Sequence, residues 1–227
     1  MKKRIVCLAN SRKLSGRCIA GREITDKSVG GWIRPVSSRE YEEVSEYERQ
    51  YENGQDPQVM DVIDIPLLKP KPKGYQKENW LLNPQEYWCK TGRARWKDLA
   101  RIDETTASLW INGYHTYSGR NDKIPLEMTD RLGSSLRMVH AERVRLSVFT
   151  PGSTFGNMKR RLQGRFIHSG HEYRLWVTDP RYEREYLLRD DGIFDLGECY
   201  LTVSLGEPYE GAVYKLIAGV IERFREN

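Results

Sequence analysis

Long hydrophobic runs are missing from this chain. No apolar stretch approaches the roughly 18 residues that a membrane-spanning helix needs, and charged residues make up 30% of the 227 against 38% hydrophobic. The basic opening, MKKRIVCLANSRK, leads only into the short apolar segment Ile5 to Ala9, below the roughly 7–15 residues of a secretory signal. A cytoplasmic protein with no membrane partner is expected. Cysteine is also sparse, with Cys7, Cys18, Cys89 and Cys199 far apart and no C-x-x-C pair. No disulfide framework is expected in such a chain, and Cys7 and Cys18, in predicted strands, read as small buried hydrophobes.

Catalytic signatures are absent too. There is no GxxxxGK[ST], no GxSxG, no HExxH and no DFG- or HRD-like pair. Asp190-Asp191 reads as a turn before Gly192, and Asp61 and Asp64 alternate with Val62, Ile63 and Ile65 as a strand with one wet face. Ser37-Ser38-Arg39-Glu40 has the form of a helix cap rather than a nucleophile site. His168, His171 and Cys199 come nearest to a metal set, but the histidines flank a Ser-Gly turn and no fourth ligand has zinc spacing. No catalytic residue, metal or cofactor is expected.

What is present is a repeat. Residues 15–37 read SGRCIAGREITDKSVGGWIRPVS and residues 163–180 read QGRFIHSGHEYRLWVTDP. Gly16-Arg17 aligns with Gly164-Arg165, Ile19 with Ile167, and Trp32-Ile33 with Trp176-Val177, the mark of a recurring supersecondary unit. The flanks repeat as well. Arg4 to Ala9 and Arg143 to Phe149 read as strands before each copy, and Val59 to Leu68 and Tyr200 to Leu205 as strands after it. Final strands follow at Asn79 to Leu82 and at Lys215 to Ala218, although Val213, Leu216, Ile217, Val220 and Ile221 also fit helical spacing. Short helices are expected at Arg39 to Tyr51 and at Arg181 to Leu188. Three strands, a helix and two strands is the order of the five-stranded Greek-key OB barrel. The fold class is therefore mainly β, with some α: two OB-like barrels at residues 1–82 and 137–227, joined by a mixed bridge at 83–136.

The bridge is too aromatic for a plain linker. It holds Tyr87 to Lys97, YWCKTGRARWK, then Asp103 to Ile111 as a candidate capped helix, a turn-rich run to Asp122, and a second short helix within Pro125 to Leu136. Its tryptophans either cement the barrels or leave Lys90, Arg93, Arg95 and Lys97 to line a cleft.

Net charge is only +5, so placement matters more than total. Arg12, Lys13, Arg17 and Arg22 cluster in the first two strands, while the acids of that half fall mainly in Glu40 to Glu52. Lys159, Arg160, Arg161 and Arg165 open the second strand of the second half, and strand alternation sets Lys159, Arg161 and Arg165 on one side. Trp32 and Trp176 stand near Arg34 and Arg174, with Tyr173 adjacent. Single-strand binders stack bases on aromatics and neutralise phosphates with nearby Arg or Lys, but matched tryptophans equally suit a shared core. These residues form the candidate nucleic-acid-binding set; the alternative is a solvated charged face.

The segments IVCLANSRKLSGRCIAG, GGWIRPVS, LWINGYHTYSGRND and LTVSLGEPYEGAVYKLIAGVI, in that order and spacing, resemble the prokaryotic dual OB-containing domain family. The resemblance covers nearly the whole chain. It implies two OB modules and a role in nucleic-acid binding, often in defence against phage or mobile elements, and it carries no catalytic residues. The expected function is a non-catalytic module for single-stranded DNA or RNA; the alternative is an adaptor that docks a co-encoded effector protein.

Overall fold

The alternation that marked the strands builds two sheets in the computed structural model, which describes residues 1–25, 28–103 and 108–225. In the first, β1 (Lys2–Lys13), β2 (Gly16–Ile24), β3 (Val29–Val36), β4 (Asp61–Pro70) and β5 (Asn79–Leu82) run in the order β1-β2-β3-β5-β4. β4 pairs back onto β1 and closes the barrel, with α1 (Glu46–Arg49) between β3 and β4. β6 (Cys89–Arg93) adds a sixth strand beside β4, and α2 (Trp96–Leu99) follows. In the second, β8 (Leu136–Phe149), β9 (Arg161–His168), β10 (His171–Val177), β11 (Gly192–Leu205) and β12 (Ala212–Glu222) run β10-β9-β8-β11-β12, closed by β10 against β12. Here α3 (Pro180–Tyr186) fills the helix position and β7 (Lys123–Pro125) extends the sheet beside β12. Both barrels use one parallel pairing, β3 with β5 and β10 with β12. The protein is mainly β, as its strand order predicts.

Each barrel encloses its own core. Ile5, Cys7, Ile19, Ile33, Ile63, Ile65, Leu67 and Trp88 fill the first; Leu146, Val148, Phe166, Tyr173, Leu175, Val177, Leu201 and Ile217 fill the second. Each such side chain contributes about 1.5–3 kcal/mol by leaving water. The chain divides into two compact units, Met1–Ile102 with Gly133–Ser135, and Asp103–Leu132 with Leu136–Asn227. Residues 83–102 thus belong with the first barrel and 103–132 with the second.

Several local expectations need correction. The first helix shrinks to Glu46–Arg49 because Glu42 adopts a positive φ of 60° and ends a turn begun at Arg39. Its cap is Ser45, whose hydroxyl accepts from the Glu48 N–H while Glu48 accepts from the Ser45 N–H. Ser37 is buried instead and donates to Glu48 Oε1 at 2.8 Å. α3 starts at Pro180 behind the N-cap Asp179, which accepts from the Arg181 N–H. The last strand runs past Ala218 to Glu222, held by β11 through Cys199. The expected helix at Asp103 to Ile111 falls partly on residues 104–107, outside the described residues, and Ser108 to Ile111 are irregular. Leu126–Arg131 forms a 3₁₀ helix.

The repeat is real in topology but shifted at its glycine. Gly16 pairs with Lys13 beside the β1–β2 turn, whereas Gly164 lies mid-strand between Leu146 and Leu175. Gly21, between Cys7 and Ile33, is the first-barrel glycine flanked in this way. A Cβ at Gly21 would collide with the Val6 carbonyl, which fixes the glycine there; one at Gly164 would meet only the Ile217 Cδ1 methyl, a side-chain end that can move.

Candidate nucleic-acid interface

Strand alternation decides which second-barrel residues face outward. On β9, Leu162 and Phe166 point into the core, which puts Arg161, Gln163, Arg165 and Ile167 outside. On β10, Tyr173, Leu175 and Val177 point inward, leaving Glu172, Arg174 and Trp176 outside; on β8, Arg143, Arg145, Ser147 and Phe149 are outside for the same reason. The register then sets three arginines directly side by side: Arg145 pairs with Arg165 and Arg165 with Arg174. A bridge from Arg174 to Arg120 adds a fourth. In the next row Ser147, Gln163 and Trp176 stand abreast, and beyond them Phe149 pairs with Arg161. Phe149 stacks on Trp176 with ring centroids 5.8 Å apart, and the Arg161 guanidinium lies 5.0 Å from the Trp176 ring.

Carboxylates orient these cations. Glu172 accepts from Arg174 Nε at 2.7 Å and lies 3.2 Å from Arg165 Nε. The Arg174 hydrogen bond, with Arg165 and Arg120 nearby, holds Glu172 below the usual carboxylate range. Asp195 is held low by its hydrogen bond from Arg143 and by the Gly197 N–H. Each guanidinium carries five N–H donors, so a single carboxylate fixes its direction and leaves donors over. The row divides two hollows that share Arg165. One, of about 850 Å³, is lined by Tyr117, Ser118, Phe149, Gln163, Arg174 and Ile193 among others; the second, of about 560 Å³, by His140, Glu142, Arg143, Arg145, His168 and Ser169 among others.

The predicted site residues fare unevenly. Arg165 and Arg174 are exposed in the row, Arg161 lies half-buried over Trp176, and Lys159 is exposed in the loop before β9 rather than in the strand. Tyr173 is a correction. Its ring sits in the core and its hydroxyl accepts from the Leu109 N–H at 3.1 Å and Asn112 Nδ2 at 2.9 Å, leaving no face for a base. Arg34 is a second correction, buried in an ion pair with Glu78 that also engages Ser135.

Lys90 and Arg93 are committed to Asp61, a fully buried carboxylate that also takes the Tyr51 hydroxyl and the Gln58 N–H. Arg95 contacts Asp98, and Lys97 is exposed on α2. Arg12 and Arg17 pair across β1 and β2, Lys13 is half-buried at their turn, and the Arg17 backbone bridges to Val44. Arg22 bonds the Gly30 carbonyl and lies 5.8 Å from the Trp32 ring. Arg120, Arg143, Arg145 and Phe149 escaped the sequence reading. The alternation of Arg143-Val-Arg145 through Phe149 carried that signal for three of them; Arg120 arrives by an isolated bridge that no local pattern announces.

The two matched tryptophans stand outside the barrels, since Ile33 and Leu175 beside them point in. Trp32 is nevertheless buried and Trp176 half-buried. In the first barrel Val6, Leu8 and Ala20 are buried as well as Ile5, Cys7 and Ile19, so both faces of these strands are covered. The segment from Ala94 to Ile102 lies there, with Ala94 N–H bonding Met60 O and Ile102 O accepting from Arg22.

Among the described residues no group of three or more His, Cys, Asp or Glu could hold a metal ion, and no helix is long and apolar enough to cross a membrane. A family model described as the dual OB-containing domain matches residues 3–220. The chain belongs to that family. No curated protein and no solved structure matches it. Within a dual OB chain, the β8–β9–β10 face has a known counterpart in position: the second and third strands of an OB barrel are the surface on which such barrels bind oligonucleotides and oligosaccharides.

Proposed function

We propose that this dual OB chain is a non-catalytic module that binds single-stranded nucleic acid across β8, β9 and β10 of the second barrel. The observation that carries the reading is the cross-strand row Arg145, Arg165, Arg174 and Arg120, oriented by carboxylates and bordered by Trp176 and Phe149. Neighbouring strands lie about 4.8 Å apart, so four arginines span about 14 Å and reach about three phosphates of an extended strand. Half-exposed aromatics beside cations are how single strands are held without base reading, which favours weak sequence preference. The prokaryotic defence setting belongs to this reading through the family resemblance, and a cytoplasmic location is part of the same proposal.

The test is fluorescence anisotropy with labelled single-stranded DNA and RNA over a range of salt. Three phosphate contacts give a slope of log K against log salt near −2, since each contributes about −0.7 on a single strand. Arg145→Ala/Arg165→Ala/Arg174→Ala is expected to flatten that slope and to weaken binding about a hundredfold. Unchanged binding by this variant would move the site elsewhere. Absence of binding by the unaltered protein at low salt would favour the adaptor that docks a co-encoded effector.

A further inference from the structure

The arginine row is not symmetrical at its ends. Beyond Arg174 it continues onto another cation, Arg120. Beyond Arg145 it meets Asp195 of β11, with Glu198 following on the same strand and Glu142 lining the adjoining hollow. A phosphodiester chain running on over β11 would face carboxylates, so the track for a polyanion stops there. Where it stops lies the 560 Å³ hollow, in which Arg143, Arg145 and Arg165 converge. Asp195 fixes Arg143 through Nε at 2.6 Å and lies 3.8 Å from Arg145, while Glu172 fixes Arg165. His140, His168 and Ser169 add polar groups to the wall; His140 is itself held by Glu198 at 2.8 Å.

Resting on the reading above, we propose that this hollow holds a phosphate monoester, the terminal phosphate of the bound strand, and that the module grips strands by an end. A monoester carries up to two negative charges where a diester linkage carries one, and it presents three oxygens to guanidinium forks. Three preset arginines at the blocked end of a cationic track suit that group better than an internal linkage, which must leave the hollow on both sides. The acidic wall also explains why the concentration of arginine on β8 is not continued on β11.

The experiment compares one oligonucleotide sequence with a 5′-phosphate, with a 3′-phosphate, with hydroxyls at both ends, and closed into a circle. A phosphorylated end is expected to bind about tenfold tighter than the hydroxyl form, one added ionic contact. Arg143→Ala/Arg145→Ala should erase that advantage, whereas Arg174→Ala should weaken all linear forms alike and preserve it. Circular dichroism checks that these surface variants fold.

Equal affinity for phosphorylated, hydroxyl and circular strands would overturn end recognition while leaving strand binding intact. Displacement of the strand by a nucleoside 5′-monophosphate as effective as the phosphorylated strand itself would also overturn it, assigning the hollow to free nucleotides. Failure of every strand to bind at low salt would remove both this inference and the function beneath it.

Discussion

The two barrels share a strand order and differ in what lies outside their second and third strands. In the first barrel the row through Val6, Arg22 and Trp32 is largely covered, with Val6 and Trp32 buried and Arg22 half-buried and bonded to the Gly30 and Ile102 carbonyls. In the second barrel the face carries Arg145, Arg165 and Arg174, with the tryptophan only half-buried. By pairing register the two tryptophans are not equivalent: Trp32 stands in the row where the second barrel has Arg174, and Trp176 stands in the next row. Trp32 packs beside an added segment, whereas Trp176 is left half-buried beside arginines. A repeated fold therefore does not imply a repeated site.

The largest expected effect that would break this comparison is on Trp32. Trp32→Ala should destabilise the first barrel by about 3–5 kcal/mol, as for other buried aromatics, and leave the salt slope of strand binding unchanged. Trp176→Ala should do the reverse, with little loss of stability and weaker binding. Urea unfolding and anisotropy on the two variants decide it; equal behaviour in both assays would mean that the faces are not distinct.

A somewhat smaller effect concerns the bridge cations. Lys90→Ala/Arg93→Ala strips the buried Asp61 carboxylate of its positive partners. The expected loss is about 2–3 kcal/mol of stability, since the Tyr51 hydroxyl and Gln58 N–H remain. Oligonucleotide affinity should hold at a temperature where the variant is folded. A fall in affinity without a fall in stability would return these residues to the binding site.

The finest contrast is in pH. Lys215 of β12 is buried, donates to the Ile111 carbonyl at 2.7 Å and to Asn112 Oδ1 at 3.1 Å, and is pushed down to about 7 by burial. Between about 7 and its ordinary 10.5, the unfolded chain holds a proton that the folded chain has released. Stability should therefore rise with pH across that window, at up to about 1.4 kcal/mol per unit, and lie lowest below it. Lys215→Met should remove this component of the slope in urea titrations between pH 7 and pH 10. The buried cations of the first barrel are instead the arginines Arg34 and Arg49, paired with Glu78 and Asp56.

Much of the fold was legible because it rests on period-two alternation and on a strand order written twice. Arg143 to Phe149 alternates cleanly, and α3 has a proline and an aspartate to announce it. The glycine register was misread because two Gly-Arg pairs look alike in sequence, while only pairing partners tell a turn glycine from a mid-strand one. The site was harder to see. Tyr173 and Arg174 are neighbours, yet one faces the core and the other water, and which is which depends on the register of the whole sheet. Arg34 and Lys90 look like ligand cations until Glu78 and Asp61 are found inside the protein, at distances no local pattern encodes. The arginine row is a product of three registers at once, and none of its members is unusual alone.

The buried pair of Arg34 and Glu78 has one further consequence, in time rather than space. Its last partner, Ser135, follows Glu78 by 57 residues and lies beyond a long stretch that belongs to the other unit. During synthesis at about 5–20 residues per second, the first barrel emerges with that pair still missing a hydroxyl and a backbone N–H. It is completed only after several further seconds of translation, once the stretch 103–132, which belongs to the second unit, has been made.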